Sequence, residues 1–539
     1  MREELQGPGL LCPAAALSAA MLLSACNGSG DPPTAPDAAI AASTDPCVRT
    51  ASLATGPADG PLYRTLAPFE HHDIDRTQTF AQACTLAELG GGTSPVIKLR
   101  TAPDDYLMPY IVQTRDRDQL FLYGYGADAR HDGAYVAAID ADTLQQRWRT
   151  NFSLEPAGSG QQPWSWPGVV TIHGNGKLYA VYGNQFYKLD PDSGAILAQR
   201  ALPQGDYGAV YNGMDVLPDG RLVAKNMEAG PCPPLDIEAL LPAALKPLAS
   251  SNVFAESFGG LACYLLFNHA ASTLVVIDPD TLDIVDQLTL PEPVTGRVTT
   301  ARDGDHAEIY VAGAKSLYRY RYDDGHLSFD AGWGPVEYAE PGQGPAAGAV
   351  MLGDFVVIQN TGYLRPGSLV AVDVHDAHHV FRTEPFALVP GQPLEPSFVL
   401  SKPAADPDNQ LVVAIDVLSL QMGAFHFDPE HGFTRLWRRP VFSLAFPALV
   451  GPPDSRQIVV PDALKLSGRG QRSAVLFDRV RWFDEASGEL LASSPVLSTL
   501  PAPGNIVTPG FNGRFYYPGA DGKLRELSVA ASQPAEDSP

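Results

Sequence analysis

A unit of strand, acidic turn and strand returns at intervals along this chain of 539 residues, and the recurrence limits its possible folds more than any other feature. The clearest copy is Tyr135 to Phe152, YVAAIDADTLQQRWRTNF. Tyr135 to Ile139 is apolar and partly β-branched, as suits a strand buried on both faces of stacked sheets. Asp140 and Asp142 bring short acceptors able to cap backbone N–H groups in a tight turn, and Gln146 to Phe152 alternates as a second strand. The unit recurs at Phe186 to Leu202, where Pro191 presets φ and Gly194 permits the exit, and at Thr273 to Leu290, Ser368 to Thr383 and Arg481 to Val496. One four-stranded sheet cannot bury both faces by itself, so repeats of this period imply radial stacking.

Ala138, Asp140, Thr143 and Trp148 stand in the order A-x-D-x-x-T-x-x-x-x-W. This resembles the tryptophan-docking repeat of the quinoprotein β-propellers. The motif is complete only there: Trp437 follows Asp428 one residue too late, and the other repeats lack a tryptophan at that place. The resemblance implies an all-β propeller of four-stranded blades, and turn signals within residues 95–530 count about eight of them at about 55 residues each. The count falls to seven if one unit is really two insertions. Turn signals place the blades at Ile111 to Phe152, Gly168 to Leu202, Gly208 to Leu290, Gly296 to Tyr338, Ala347 to Leu388, Ser397 to Phe442 and Ala448 to Val496. Asn505 to Val529 supplies about three more strands, and Pro95 to Leu99 is the candidate fourth strand that closes the ring. High Gly (50) and Pro (49) between short apolar runs agree with all-β.

Leu10 to Ala25 is an apolar run too short to span a bilayer, and Leu23-Ser24-Ala25-Cys26 resembles the lipobox of bacterial lipoproteins. That resemblance implies a signal peptide over 1–25 and a lipidated Cys26. A flexible tether follows over 26–50, then an N-terminal extension over 51–94 that packs over one mouth of the propeller. Residues 531–539 read as a disordered tail. The expected address is the bacterial cell envelope, periplasmic or surface-facing, with the outer membrane favoured. Net charge is −24, from 37 Lys+Arg against 61 Asp+Glu, which opposes a nucleic-acid partner.

Cys12 leaves with the signal peptide and Cys26 is the lipid site, so Cys47, Cys84, Cys232 and Cys263 remain. In an oxidising compartment they suggest two disulfides with three connectivities open, the local pairs Cys47–Cys84 and Cys232–Cys263 being favoured. The second pair would close an insertion whose LDIEALLPAALKPLA core reads as a short helix broken at Pro242. No C-x-x-C or C-x-x-C-H pattern supports a zinc ribbon, thiol redox or haem attachment, and no G-x-S-x-G elbow supports a serine nucleophile.

Candidate site residues fall in three groups. Glu70-His71-His72-Asp73-Ile74-Asp75 is the densest run of metal-capable side chains; on an extended strand His71 and Asp73 could share a metal that His72 could not reach. Tyr211-Asn212-Gly213 through Pro218-Asp219-Gly220-Arg221 resembles the inner-strand segment of lactonase-type propellers, which nominates Asn212 for a central divalent ion. Asn226, Glu228 and Asn360 follow apolar strands, and Arg297 and Arg321 are the cations placed nearest a channel, Tyr taking the buried face of YRYRY. The Asp140/Asp142, Asp190/Asp192 and Asp278/Asp280 pairs read as turn caps, with calcium as the alternative.

Two functions fit. The first is a lipid-anchored binding or assembly platform whose partner is an envelope protein or a small ligand. The second is an axial-site enzyme, a PQQ-type dehydrogenase or a metal-dependent lactonase or hydrolase, the cofactor open between PQQ and a divalent metal such as calcium.

Overall fold

Short apolar runs pair with the next run in chain order, and the result is eight four-stranded antiparallel sheets. The computed structural model describes residues 47–90, 95–127, 132–152, 167–206, 208–228, 233–236, 270–303, 306–362, 365–386, 402–466, 475–498 and 506–530. Cys26 with its lipobox, the tether as far as residue 46, the Cys232–Cys263 pair, the expected helix of the insertion and the C-terminal tail lie outside the described residues.

Blades 1 to 7 span 109–152, 167–201, 209–289, 298–329, 349–383, 404–440 and 448–493. Blade 8 takes three strands from 508–529, and Ile97–Thr101 completes it, pairing antiparallel from Ile97 opposite Val529 to Thr101 opposite Arg525. The expected count of eight holds, and the closing strand comes from the N-terminal side as the turn signals indicated. The insertion of blade 3 separates its second and third strands, Leu222–Glu228 and Thr273–Ile277.

The sheets stack face to face because their middle strands are apolar on both sides. Between blades 2 and 3, Val169, Tyr179, Val181 and Phe186 meet Tyr211, Met214, Val216 and Val275, all fully buried. Each such side chain contributes about 1.5–3 kcal/mol relative to exposure.

The acidic turns join neighbouring blades. Asp140 Oδ1 accepts from the backbone N–H of Thr143 at 2.8 Å and of Asp142 at 3.1 Å; Asp190 and Asp278 repeat the pattern, so these aspartates act as turn caps. The turn then needs one left-handed residue, supplied by Leu144 (φ 59°), Gly194 (φ 74°), Leu282 (φ 62°) and Gly488 (φ 66°). Leucine fills the space beneath its turn with its own side chain. Glycine leaves it open, and a tryptophan from the preceding blade enters.

Trp148 lies against Gly194 and donates to Pro191 O at 3.2 Å; Trp437 lies against Gly488 and donates to Glu485 O at 2.7 Å. Trp437 thus docks despite its longer spacing from Asp428. Its place is set by standing opposite Ala424 beside a strand bulge, as Trp148 stands opposite Ala138. Trp333, outside any recognisable copy of the motif, also docks, donating to Asp373 O at 3.0 Å. The motif is complete in one copy, yet three tryptophans dock in this way among the described residues.

Beside the Trp437 clasp, Glu485 is buried next to Asp406, which pairs with Arg456 at 2.7 Å. Burial and the neighbouring Asp406 charge push the Glu485 carboxyl up to about 8, against an opposing hydrogen bond from Asn409 and the Arg456 charge.

Trp437→Ala should lower stability by about 3–5 kcal/mol in urea denaturation, as expected for emptying a buried tryptophan site. Glu485 holds its proton when folded but loses it near pH 4.5 when unfolded, so its contribution is complete below that value and is lost as pH rises to about 8. Relative to Glu485→Gln, the wild type should therefore weaken progressively between about pH 4.5 and 8, read from urea midpoints.

Candidate functional site

The innermost strand of each blade turns one edge to the axis, where its N–H and C=O groups need partners. The N-terminal extension provides them by running through the centre of the ring. Thr114 N of blade 1 donates to Ala67 O at 2.9 Å, and Ile172 N of blade 2 to Pro68 O at 3.1 Å. Thr300 of blade 4, Met351 of blade 5, Ala405 of blade 6 and Leu449 of blade 7 donate in turn to Ile74, Asp75, Thr77 and Gln78. Thr79–Phe80 then lies parallel to Leu449 and Val450. Blade 3 is reached by a side chain, Arg76, which donates to Met214 O at 3.2 Å and pairs with Asp215 at 3.6 Å. Within the 51–94 extension, residues 67–80 run through the axis as a plug and not over one mouth.

A chain winding around so tight an axis needs unusual backbone, and His71 (φ 53°), His72 (φ 79°), Arg76 (φ 58°) and Gln78 (φ 63°) are all left-handed. The histidines therefore do not lie on an extended strand. His71 Nδ1 meets Gln78 Oε1 at 2.5 Å, and Asp73 accepts from the N–H and hydroxyl of Thr77. Among the described residues no group of three or more His, Cys, Asp or Glu side chains is placed to hold a metal ion. The plug is closed at its base by the Cys47–Cys84 disulfide, the expected local pair. Closing a loop of that length contributes about 4 kcal/mol in the chain-entropy account.

The plug and the inner strands gather charge in a buried place. Lys402 Nζ donates to Arg76 O at 2.8 Å and Gln78 Oε1 at 3.2 Å. Lys225 Nζ donates to Asn212 Oδ1 at 2.5 Å and Val294 O at 2.9 Å. Burial, reinforced by the Arg76 charge, holds both ammonium groups well below the usual lysine range. Burial raises the Glu70 carboxyl against the pull of Arg76 and Lys402, raises Asp73 with help from Asp75, and lowers His71 with help from Lys402 and Arg76. In each case burial is the larger cause and neighbouring charge the smaller.

The residues singled out in the sequence are only partly brought together. Asn212 and Arg297 lie at the axis with His71 and Asp73, Asn212 also donating to Thr295 O at 3.2 Å. Asn226 accepts from Thr273 N at 2.6 Å and donates to Glu228, which in turn accepts from Gly205 N. Asn360 donates to Tyr338 O and Gln343 Oε1 and accepts from Ser368 N. These three serve connections at the strand ends. Arg321 is corrected: it is exposed and bound to Asp330 at 2.9 Å, while Tyr318, Tyr320 and Tyr322 take the buried face. Arg76, Gln78, Lys225 and Lys402 were missed. Lys225 had a signal, a lone cation inside the apolar run LVAKNM, where all six residues are buried.

No family model matches the sequence, and no curated protein matches it. The fold has solved counterparts. The quinohemoprotein alcohol dehydrogenase of Comamonas testosteroni superposes with a TM-score of 0.50 at 11% identity, over 98% of this chain and 85% of that one. A europium-containing methanol dehydrogenase gives 0.49 at 9% identity over 87% and 89%, and the C-terminal WD40 domain of Sif2 gives 0.47 at 9% over 81% and 100%. The chain is an eight-bladed β-propeller, and at these identities the likeness is one of fold alone.

A quinone tricarboxylate with its calcium needs free cations, a stacking face and a cluster of oxygen ligands. Residues 67–80 fill the axis, Lys225 and Lys402 donate to the chain's own oxygens and leave Arg297 as the one unpartnered axial cation among the described residues, and no metal-capable cluster stands among those residues. This residue set does not fit that cofactor.

Arg76→Ala should cost about 3–5 kcal/mol by leaving Asp215 buried without its counter-ion. The double variant Arg76→Met/Asp215→Leu should recover most of the loss, as measured by urea denaturation.

Proposed function

We propose that the protein is a lipid-anchored, extracytoplasmic binding or assembly platform, using the loop faces and rim of the propeller to meet other molecules. The observation that carries this reading is the closure of the axis by residues 67–80, hydrogen-bonded to the inner strands of blades 1 to 7. Ligands of ring-shaped folds gather where strand ends converge. When the chain itself takes that place, the loops around the two mouths become the surface left for recognition. The lipobox-like Leu23-Ser24-Ala25-Cys26 supports attachment through lipid, and among the described residues no helix is long and apolar enough to cross a membrane. The net charge of −24 favours a protein or small-molecule partner over nucleic acid.

The second reading, an axial-site enzyme, is favoured by the buried Glu70, Lys225 and Lys402 with their displaced proton affinities. One preparation separates the two. Protein incubated with PQQ and calcium, then desalted, should carry neither a quinone absorption band nor an equivalent of calcium, and should not reduce a dye with alcohols. Stoichiometric retention of either, with turnover, would transfer the assignment to the enzyme. Cys26→Ser should move the protein from the membrane fraction to the soluble envelope fraction.

A further inference from the structure

Among the described residues, the deeply buried arginines have acidic partners, with one exception. Arg76 pairs with Asp215, Arg319 with Asp330 and Glu308, and Arg456 with Asp406 and Asp408. Arg297 immediately precedes the innermost strand of blade 4, is 2% exposed, and has Nε and Nη2 buried without a hydrogen-bond partner. No carboxylate pairs with it among the described residues. The hydroxyl of Thr295, two residues earlier, is likewise buried and unpartnered.

Glycine backbone packs close on either side of this residue. A Cβ on Gly213 of blade 3 would stand 3.6 Å from Arg297 Cα, and one on Gly348, beside blade 5, would stand 3.5 Å from Arg297 Cβ. Gly348 also has φ 155°, which resists a side chain. The groups around this point add positive potential: Lys402 is close enough to interact with Arg297 through its charge, and Arg76 with both lysines. An uncompensated guanidinium inside protein is strongly unfavourable, and its planar fork matches two oxygens held in one plane.

We propose that Arg297 is the centre of an axial binding site for a small oxyanion, one presenting two coplanar oxygens to the guanidinium, with the Thr295 hydroxyl as a further donor. The anion is a free carboxylate or inorganic oxyanion of a few heavy atoms, admitted beside the plug and not in place of it. The site completes the charge balance of the ring centre and ties its stability to the supply of that anion. It holds whether the propeller is a platform or an enzyme, so the PQQ experiment and the one below fail independently.

The test uses the full mature chain freed of anions by extensive exchange. Thermal unfolding is followed against inorganic phosphate and sulfate in one arm and against acetate and succinate in the other, with chloride as the ionic-strength control. The wild type should show a saturable rise of several degrees with at least one of these anions beyond the chloride effect. Arg297→Gln should show none, and the arm that responds names the ligand class. Equal rises in wild type and variant, or none in wild type, would overturn the site. If Arg297→Gln does not fold, native mass spectrometry of the wild type decides: a retained phosphate, sulfate, acetate or succinate mass supports the proposal, and a bare mass at saturating concentrations of all four refutes it.

Discussion

An antiparallel sheet always has two edges, and a ring of sheets points eight of them at one line. The outer edges meet water, whereas the inner ones face a space too narrow for every N–H group to be solvated freely. In this protein Ile74, Asp75, Thr77 and Gln78 each turn one carbonyl to a successive blade, from the fourth to the seventh. The helical and extended regions do not put neighbouring carbonyls in such a fan, which accounts for the left-handed backbone at Arg76 and Gln78. The acceptors are backbone carbonyls, so the demand falls on the path of the segment and not on its side chains: Ala67, Pro68 and Ile74 meet it as Asp75, Thr77 and Gln78 do.

The ring itself was plain in the sequence because its determinants are local. A strand of alternating or continuous apolar residues, an aspartate cap and a glycine or leucine at the left-handed turn position occupy consecutive residues, and each copy can be read alone. The clasps were harder. Trp437 is placed by its cross-strand neighbour Ala424 and a bulge, so counting from Asp428 misjudged it, and Trp333 sits in a different local setting altogether. For Trp148 and Trp437 the glycine beneath the indole would have been the better guide, since Gly194 and Gly488 mark turns that receive a tryptophan.

The centre was mostly hidden, for a physical reason. Residues 67–80 have neither strand nor helix periodicity because their partners lie on successive blades, as far along the chain as Leu449 is from Gln78. A run such as Glu70-His71-His72-Asp73 reads as solvent-loving when nothing local shows where its hydrogen bonds go. Lys225 and Lys402 belong to the same class: each is satisfied by carbonyl or amide oxygens from other parts of the chain. Sequence spacing carries information about partners within one element and almost none about partners brought together by ring closure.

The Cys47–Cys84 bridge has a mechanical consequence. A pull transmitted along the chain toward Cys47 passes through the sulfur atoms to Cys84, bypassing the 36 residues between them. From there it meets Ile97–Thr101, whose antiparallel pairing with Leu524–Val529 lies along a whole strand. The axial segment is therefore a slack branch of the load path. Tension that would otherwise draw it out of the ring like a thread from a bead is carried by a covalent bond and the rim of blade 8.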